Sequence, residues 1–229
     1  MQAIVAAKNL HKTYKSGGVE TPALRGVNLT IAPGEFTAIA GPSGSGKSTL
    51  LHLLGGLDRP SSGEVWLQGE RIDDKSPVRR ARIRLWKVGF VFQAYNLIPV
   101  LTVLENAAFI LELRGFPPGE RLKRARAALA ELEMEDYAER RPNQLSGGQQ
   151  QRVAVARALA AEPAVVFADE PTANLDSKTG QALIEYMKRL NREKKLTFVF
   201  STHDPRLLEH VHRIVHLEDG RIISEETVN

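Results

Sequence analysis

Short apolar runs alternate with amphipathic stretches along the chain, and this alternation predicts an α/β fold. Residues 36–40, 88–92, 164–168 and 196–201 are largely apolar. Runs of this kind are typical of parallel strands that are buried on both faces of a sheet. A helical period at 177–192 lies between the last two runs, so we expect a mainly parallel sheet whose strands alternate with helices.

The first third of the chain has a different pattern, which predicts antiparallel strands. Two extended segments, 4–14 and 23–31, flank the turn-forming residues 16–18, as in a hairpin. A further strand is expected at 64–68. We therefore expect an antiparallel β subdomain beside the parallel core.

The middle of the chain lacks strand signals and is expected to be helical. Thr102 and Glu105 have the spacing of a capping box, which predicts a helix running to about Arg114. A second helix is predicted at 117–134. Its apolar face would comprise Leu122, Ala125, Leu129 and Leu132.

Length and composition fit one globular domain of 229 residues, 42% hydrophobic and 25% charged. We expect its core and antiparallel region at about 1–93 and 161–229, with a helical subdomain inserted at about 94–160. No apolar run approaches the roughly 20 residues of a membrane-spanning helix, and residues 1–5 lack the features of a signal peptide. The absence of cysteine excludes disulfides and cysteine-ligated metals, and it is compatible with a cytoplasmic location.

The segment between the first apolar run and the next helix carries the strongest chemical signal. It matches G-x-x-x-x-G-K-[ST] in the strand–loop–helix context that this phosphate-binding loop, or P-loop, requires. Its residues are Gly41, Pro42, Ser43, Gly44, Ser45, Gly46, Lys47, Ser48 and Thr49. Glycines let backbone N–H groups surround phosphate oxygens, and the helix N-terminus adds its positive dipole end. Lys47 supplies a cation for the outer phosphates, and Ser48 supplies a ligand for Mg²⁺.

A turn rich in glycine and serine would explain the glycines of this loop but not Lys47. A cation in the first turn of a helix opposes the helix dipole, so an anion is expected beside it. The loop therefore predicts a nucleoside triphosphate site. It does not say how the triphosphate is used, since kinases, GTPases and motor ATPases share such loops.

A second candidate phosphate site follows much later, before an amphipathic helix predicted at 150–161. It consists of Ser146, Gly147, Gly148 and Gln149, preceded by Leu145. Backbone N–H groups at the helix N-terminus and the Ser146 hydroxyl would meet an anion there. A plain glycine-containing turn would not require Gln149.

With both sites, the sequence resembles the ATP-binding cassette (ABC) ATPases over essentially its whole length. The motifs are an aromatic residue at Tyr14, the P-loop at 41–49, the Q-loop glutamine at Gln93, the signature at 145–149, the Walker B end at Asp169 and Glu170, the D-loop at 174–176 and the switch histidine at His203. The resemblance implies a P-loop NTPase (RecA-like) core. Ala173 stands where related sequences often have glycine, outside the reacting residues.

The resemblance implies that ATP and Mg²⁺ are held by residues from several motifs. Tyr14 would stack on adenine, and Lys47 with the loop amides would hold the β- and γ-phosphates. Asp169 would join Ser48 and Gln93 at the metal. The resemblance also implies that Asp176 of the D-loop belongs to the nucleotide site.

Three residues are implied in hydrolysis itself. Glu170 would act as general base toward the attacking water. Gln93 would reach the water as well as the metal, and His203 would hydrogen-bond the γ-phosphate.

The resemblance also implies partners. Ser146, Gly148 and Gln149 of one cassette would close over ATP held by the P-loop of a second copy, giving two equivalent sites in a twofold dimer. A separate transmembrane permease would dock near 93–101 and the helical subdomain. The cassette would then be peripheral at the inner face of the cell membrane.

Within the family, the sequence looks most like the MacB/LolD group, which serves macrolide export and lipoprotein release. The matching segments are 90–93, 96–99, 101–106, 142–145 and 168–172. Two alternatives stay open: an importer cassette, and a soluble ABC ATPase acting on nucleic acid or ribosomes. The second lacks support, because the chain has no long coiled-coil insertion and one cassette only, and we expect no nucleic-acid partner.

Two features remain without a role. Residues 71–87 carry seven Lys and Arg against two Asp; a solvated helix face is favoured over contact with acidic lipid headgroups or a partner. His210, His212 and His216 alternate along the chain and are interpreted as surface or structural residues, with metal binding as the alternative.

Overall fold

The structure, a computed structural model, describes residues 3–228. Met1 and Gln2, which begin the segment considered for a signal peptide, and Asn229 lie outside the described residues. The strands are β1 (Val5–Ser16), β2 (Val19–Ile31), β3 (Phe36–Ala40), β4 (Ser62–Leu67), β5 (Glu70–Arg71), β6 (Val88–Val91), β7 (Val165–Asp169), β8 (Thr197–Thr202), β9 (Arg213–Glu218) and β10 (Arg221–Thr227). The helices are α1 (Lys47–Leu54), α2 (Pro77–Lys87), α3 (Val103–Leu113), α4 (Pro118–Glu131), α5 (Gly147–Ala160), α6 (Ser177–Lys194) and α7 (Pro205–Leu208).

The core is a six-stranded sheet with the order β10-β9-β3-β8-β7-β6. The pairs from β9 to β6 are parallel, and β10 runs antiparallel to β9. Ala40 pairs with Thr202, and Asp169 pairs with Ser201. The carboxyl ends of β3, β7 and β8 therefore lie at the same edge of the sheet.

A second sheet, with the order β2-β1-β4-β5, is antiparallel throughout. Its inner face packs with α1 against one face of the parallel sheet, where Leu10 and Ile31 meet Leu50, Phe167 and Val199. Burial of apolar surface on this scale dominates folding free energy. The predicted α/β fold with an antiparallel β subdomain is confirmed.

The opposite face of the parallel sheet is covered by helices. Phe36, Phe198 and Phe200 project toward side chains of α3, α5 and α6 in a single apolar cluster, and the Phe36 and Phe200 rings meet edge to face at 4.7 Å. Because both faces are covered, the strands have few polar positions, which explains the continuous apolar runs of the sequence.

Between β6 and β7 the described chain is helical, as the pattern predicts, although the subdomain boundary at 94–160 stays a prediction. The capping box of Thr102 and Glu105 is present at the start of α3. Helix α5 packs on β6 as well as on α3 and α4: a Cβ on Gly89 would lie 3.1 Å from the Ala158 carbonyl oxygen. One helix thus joins the parallel core to the helical region.

The predicted apolar face of the second helix is partly wrong. Ala125, Leu129 and Leu132 are buried, whereas Leu122 is 37% exposed. Ala128 takes its place in the core. The physical reason is the helical period: Ala128 lies closer than Leu122 to the centre of the buried arc. Among the helices of residues 3–228, none combines the length and hydropathy of a membrane-spanning segment.

Candidate nucleotide site

A cleft of about 620 Å³ opens at the carboxyl edge of the parallel sheet. Loops that follow β3, β6, β7 and β8 reach it, because these strands are parallel and adjacent. Its lining comprises Ala23, Pro42, Ser43, Gly44, Gly46, Lys47, Ser48, Thr49, Gln93, Glu170 and His203. The structure therefore brings together the P-loop, the Q-loop glutamine, the Walker B glutamate and the switch histidine.

The P-loop has a backbone conformation that only glycine supports at two positions. Gly41 has a φ of 157°, and a Cβ there would lie 2.0 Å from the Leu217 carbonyl oxygen. Gly46 caps α1 with a φ of 104°, and a Cβ there would lie 2.6 Å from the Ala23 carbonyl oxygen. Close approach to β9 and β2 thus fixes the loop at both ends.

Lys47 is buried and points back along its own loop. Its Nζ donates hydrogen bonds to the carbonyl oxygens of Gly41, at 2.8 Å, and Pro42, at 2.9 Å. An ammonium group has three donors, so one remains for an anion in the cleft. The buried Ser45 hydroxyl has no hydrogen-bond partner among residues 3–228.

Asp169 ends β7 behind the cleft and gathers hydroxyl groups. Ser48 donates from Oγ to Asp169 Oδ1 at 2.8 Å, and Ser201 donates to the same oxygen. His52 Nε2 lies 3.7 Å from Oδ2, beyond hydrogen-bond distance. The sequence interpretation assigned no role to Ser201 or His52. Ser201 could have been found from the strand register, which pairs it with Asp169. His52 could have been found from its position one helical turn after Ser48.

The oxygen atoms beside the cleft are suitable ligands for Mg²⁺. A serine hydroxyl and a carboxylate meet beside the cleft, and the Gln93 side chain belongs to its lining. Hard cations such as Mg²⁺ prefer oxygen ligands and usually retain waters and substrate phosphates. Within residues 3–228, no group of three or more His, Cys, Asp or Glu side chains is arranged to hold a metal by itself.

Glu170 and His203 contact each other directly. His203 Nδ1 lies 2.8 Å from Glu170 Oε1, and Thr202 Oγ1 donates to Oε2 at 3.5 Å. The Glu170 backbone has a φ of 45°, a left-handed conformation that is costly for a residue with a side chain. The strained backbone is held by a 2.9 Å hydrogen bond from the Glu170 amide to the Ser201 carbonyl oxygen. The His203 side chain is 71% exposed, so its ring has room to move.

The Q-loop is anchored by hydrogen bonds that the sequence did not predict. Asn174 donates from Nδ2 to the Gln93 carbonyl oxygen at 3.0 Å, which ties the D-loop to the Q-loop. Tyr95 and Asn96 both have left-handed backbones. Arg157 of α5 donates to both of their carbonyl oxygens, and burial lowers its pKa.

Asn106 of α3 holds the segment that follows. Its side chain is fully buried, accepts a hydrogen bond from the Ile98 amide and donates to the carbonyl oxygens of Ile98, Leu101 and Thr102. Only asparagine or glutamine offers donor and acceptor together in this way.

The signature segment does not line the cleft. Helix α5 begins at Gly147, so both glycines lie in its first turn. Ser146 Oγ accepts from the Gln149 amide at 3.3 Å, and Gln149 Oε1 accepts from the Ser146 amide at 2.9 Å. Gln149 thus completes a capping box, so even a plain turn before α5 would use this side chain, contrary to the sequence prediction. A Cβ on Gly148 would lie 2.0 Å from Thr179 Cγ2 of α6.

Tyr14 and Asp176 also lie outside the cleft lining. Tyr14 is 42% exposed, and its hydroxyl donates to Asp58 Oδ2 at 3.2 Å. Asp176 caps α6 by accepting from the Thr179 amide at 3.0 Å. A hydrogen bond from the Thr179 side chain lowers the pKa of Asp176, and the backbone amide of Thr179 adds to this effect.

The three C-terminal histidines belong to separate environments. His210 Nε2 lies 3.5 Å from Glu185, and His216 Nε2 lies 2.9 Å from Glu226. The His212 ring packs beside Phe36. These contacts describe structural roles at the surface and edge of the core.

A larger groove of about 920 Å³ lies on the other side of the Q-loop. Helices α2 and α3, strand β6 and the start of the Q-loop form its walls. Its lining is mainly apolar and includes Trp86, Phe90, Ile98, Phe109 and Leu113. The Q-loop thus separates the groove from the cleft.

Comparison with known proteins identifies relatives that match this chain over nearly its whole length. The family model described as ABC transporter matches residues 24–173. The ABC transporter ATP-binding protein MJ0796 of Methanocaldococcus jannaschii is 49% identical over 227 residues, covering 97% of each chain. An ABC transporter ATP-binding protein of Thermotoga maritima is 47% identical over 222 residues, covering 97% of this chain and 94% of that protein.

A longer relative and two solved structures extend this comparison. The macrolide export ATP-binding/permease protein MacB of Syntrophobacter fumaroxidans is 43% identical over 224 residues, which are 97% of this chain and 31% of MacB. Two structures of MJ0796, described as dimeric and one of them bound to ADP and Pi, superpose with a TM-score of 0.92 at 47% identity. Each covers 98% of this chain and 99% of the solved chain.

Proposed function

The chain belongs to the ABC transporter family, in which it is an ATP-binding subunit and an ATPase, and we propose that it acts as half of a twofold dimer coupled to a membrane permease. One observation carries the proposal. The P-loop, Gln93, Glu170 and His203 line one cleft, whereas the signature segment 146–149 of the same chain does not. This arrangement supports a site that is completed by the signature of a second copy.

The proposed assembly gives each phosphate-binding device a partner. The signature of one copy would cover ATP on the P-loop of the other, with the N–H groups of Gly147 and Gly148 facing the γ-phosphate. Twofold symmetry makes the second site identical. The dimeric structures of the relative MJ0796, one with ADP and Pi, support this assembly by similarity.

ATP would be held by residues of both sheets. The loop amides and the free donor of Lys47 would bind the β- and γ-phosphates, and Tyr14 at the end of β1 would contact the adenine. Ser48, Asp169 and Gln93 would hold Mg²⁺. The metal, when bound, supplies positive charge that stabilises the phosphate oxygens.

Glu170 and His203 would exchange partners during hydrolysis. In this structure the His203 ring is within hydrogen-bond distance of one carboxylate oxygen of Glu170. If His203 turns toward the γ-phosphate, Glu170 is released to accept a proton from the attacking water. Gln93 also lines the cleft and would orient that water.

The groove beside the Q-loop is the proposed contact with a permease. Phe92 and Asn96 line the groove, while Gln93 between them lines the ATP cleft. An apolar helix of the permease would therefore press on the segment that carries a catalytic side chain. Similarity to MacB supports a permease of the macrolide-export or lipoprotein-release type, with the cassette peripheral at the inner face of the membrane.

The dimer proposal is tested by Glu170→Gln in size-exclusion chromatography with Mg²⁺ and ATP. Loss of the general base should stop hydrolysis and leave an ATP-bound dimer, which ADP does not produce. Glu209→Gln, at an exposed position outside the cleft, is the matched control and should stay ATPase-active. Elution of Glu170→Gln as a monomer at saturating ATP would contradict both the base assignment and the dimer.

The permease proposal is tested by co-purification with the membrane protein encoded beside this chain. Leu113→Glu places a charge in the groove and should abolish co-purification. Leu122→Glu, at an exposed position of α4, is the control and should leave co-purification unchanged. Equal behaviour of the two variants would exclude the groove as the contact. A partner with four transmembrane spans and a large external domain would support the MacB/LolD type.

A further inference from the structure

Helix α2 carries an exposed stripe of basic and apolar side chains. The stripe, which we call the basic stripe, consists of Val78, Arg79, Arg82 and Trp86. Arg82 follows Arg79 by three positions and Val78 by four, and Trp86 follows Arg82 by four, so all four lie on one side of the helix. Ile83, on another side, is buried and fixes the helix to the antiparallel sheet and its core.

The basic stripe has an excess of positive charge that the fold does not neutralise. Helix α2 contains no acidic residue. Arg79 reaches Glu70 only at 3.6 Å, and its side chain is 67% exposed. Within residues 3–228, Arg82 forms no ion pair. Arg80 lies on the same helix, and burial followed by the charge of Arg80 lowers the pKa of Arg84, as expected where cations crowd together.

The apolar members of the stripe are exposed to an unusual extent. Val78 is 81% exposed and Trp86 is 47% exposed. The guanidinium of Arg114 stacks 5.0 Å from the centre of the Trp86 ring. Tryptophan is enriched where a membrane meets water, because its ring is apolar at one end and polar at the other.

We propose that the basic stripe binds anionic lipid headgroups directly, with Val78 and Trp86 entering the interfacial layer. The proposal extends the proposed function, because Arg82 and Trp86 also line the groove assigned to the permease. A permease held in that groove would bring the stripe to the membrane surface. Charge complementarity with anionic headgroups would then add affinity to the protein contact.

Lipid fits the stripe better than nucleic acid does. A nucleic-acid surface combines basic residues with aromatic faces for stacking or polar groups for base edges. Val78, the most exposed apolar side chain of the stripe, offers neither. Arginine together with exposed tryptophan and aliphatic side chains is instead a composition found in helices that lie in a membrane interface.

The first test is flotation of the full chain with vesicles of phosphatidylglycerol and phosphatidylcholine, or of phosphatidylcholine alone. Wild-type chain should float with the anionic vesicles only. Arg79→Gln/Arg82→Gln should weaken the partition constant by about 25-fold, about fivefold for each arginine. Lys123→Gln/Arg126→Gln on α4 removes the same charge from exposed positions and should have little effect. Equal loss in both variants would reduce the effect to net charge and overturn the proposal.

The second test observes Trp86 directly. The chain has two tryptophans, Trp66 and Trp86. In Trp66→Phe, emission from Trp86 should shift to shorter wavelength with anionic vesicles and be quenched by brominated lipid. Unchanged emission despite flotation would place the contact elsewhere and overturn the proposal. Salt-sensitive binding to duplex DNA that depends on Arg79 and Arg82, without vesicle binding, would also overturn it.

Failure of this inference can be distinguished from failure of the proposed function. Dimerisation of Glu170→Gln with ATP requires no lipid. A chain that dimerises but ignores anionic vesicles loses the lipid site and keeps the cassette function. If the chain floats with anionic vesicles in a way that depends on the basic stripe but never dimerises, the lipid site is supported and the proposed dimer is contradicted.

Discussion

At the scale of single residues, Lys47 serves its own loop as well as a phosphate. Lys47→Ala removes the cation and leaves the Gly41 and Pro42 carbonyl oxygens without their donor. We expect ATP affinity to fall by about 100-fold or more, from the lost charged hydrogen bonds. Titration with a fluorescent ATP analogue measures this. Lys123→Ala, on exposed α4, should bind normally; unchanged affinity of Lys47→Ala would contradict the P-loop assignment.

Asp204 is one residue whose charge links pH to stability. Hydrogen bonds from the Arg206 side chain lower the pKa of Asp204 below its usual 3.8, and Thr172 Oγ1 donates to it at 2.7 Å. A lowered pKa adds stability that is complete above the unfolded-state value and is lost as pH falls through the folded-state value.

Asp204→Asn should therefore lower the free energy of unfolding at pH 7, by on the order of 1 kcal/mol. The difference from wild type should shrink as pH falls below about 4. Urea denaturation at pH 7 and at pH 3.5 measures both values. A difference that is independent of pH would show that the carboxylate charge does not contribute.

Partners of single residues were predictable only where they are local in sequence. The capping box of Thr102 and Glu105 spans three positions, so its spacing indicates its geometry. Ser201 meets Asp169 because two strands pair in one register, and residue patterns do not state a register. The capping box of Ser146 and Gln149 has the same local spacing, although the sequence prediction considered Gln149 only as part of the signature.

At the scale of elements, α5 and α6 approach so closely that a glycine is required between them. In Gly148→Ala the new Cβ would meet Thr179 Cγ2 at 2.0 Å. We expect a loss of about 1–3 kcal/mol in the free energy of unfolding, as in other overpacked cores. Chemical denaturation measures it.

The matched control is the double variant Gly148→Ala/Thr179→Ala, which removes the clashing methyl group. It should recover much of the lost stability, beyond the sum of the single variants. Additive effects would show that Gly148 is required for backbone freedom or ligand contact and not for packing against α6.

Elements were predictable where burial imposes a regular pattern. Strands β3, β6, β7 and β8 are covered on both faces, and their apolar runs indicated them within a residue or two. Leu122 was assigned wrongly, because periodicity defines an arc and tertiary packing decides where its edges fall.

At the scale of the whole molecule, the ATP site is expected to be shared between copies. Lys47→Ala removes the P-loop half of each site, and Ser146→Arg obstructs the signature half. Neither variant should hydrolyse ATP alone. Mixed in equal amounts, they should regain up to about one quarter of wild-type activity, since half the dimers would contain one intact site. Absence of recovery, with mixed dimers demonstrated, would contradict the shared site.

Sheet order, the cleft and the groove lay beyond sequence patterns because they depend on which distant segments pack together. The strand order β10-β9-β3-β8-β7-β6 places four loop ends at one edge. Motif resemblance grouped Gln93, Glu170 and His203 correctly in the cleft. It placed Asn174 in the D-loop but did not predict its hydrogen bond to the Q-loop, and it did not indicate Arg157, which also holds the Q-loop.

Helix α5 links the two nucleotide sites of the proposed dimer. Its first turn is the signature segment, and its Arg157 holds the backbone of Tyr95 and Asn96. The Tyr95 hydroxyl also comes within 2.8 Å of a Cβ position on Gly147. One rigid body thus connects the Q-loop of a copy's own nucleotide to the cover of its neighbour's nucleotide. In the proposed dimer, hydrolysis at the two ATP sites would therefore be coupled, because each permease contact would be linked through α5 to both sites.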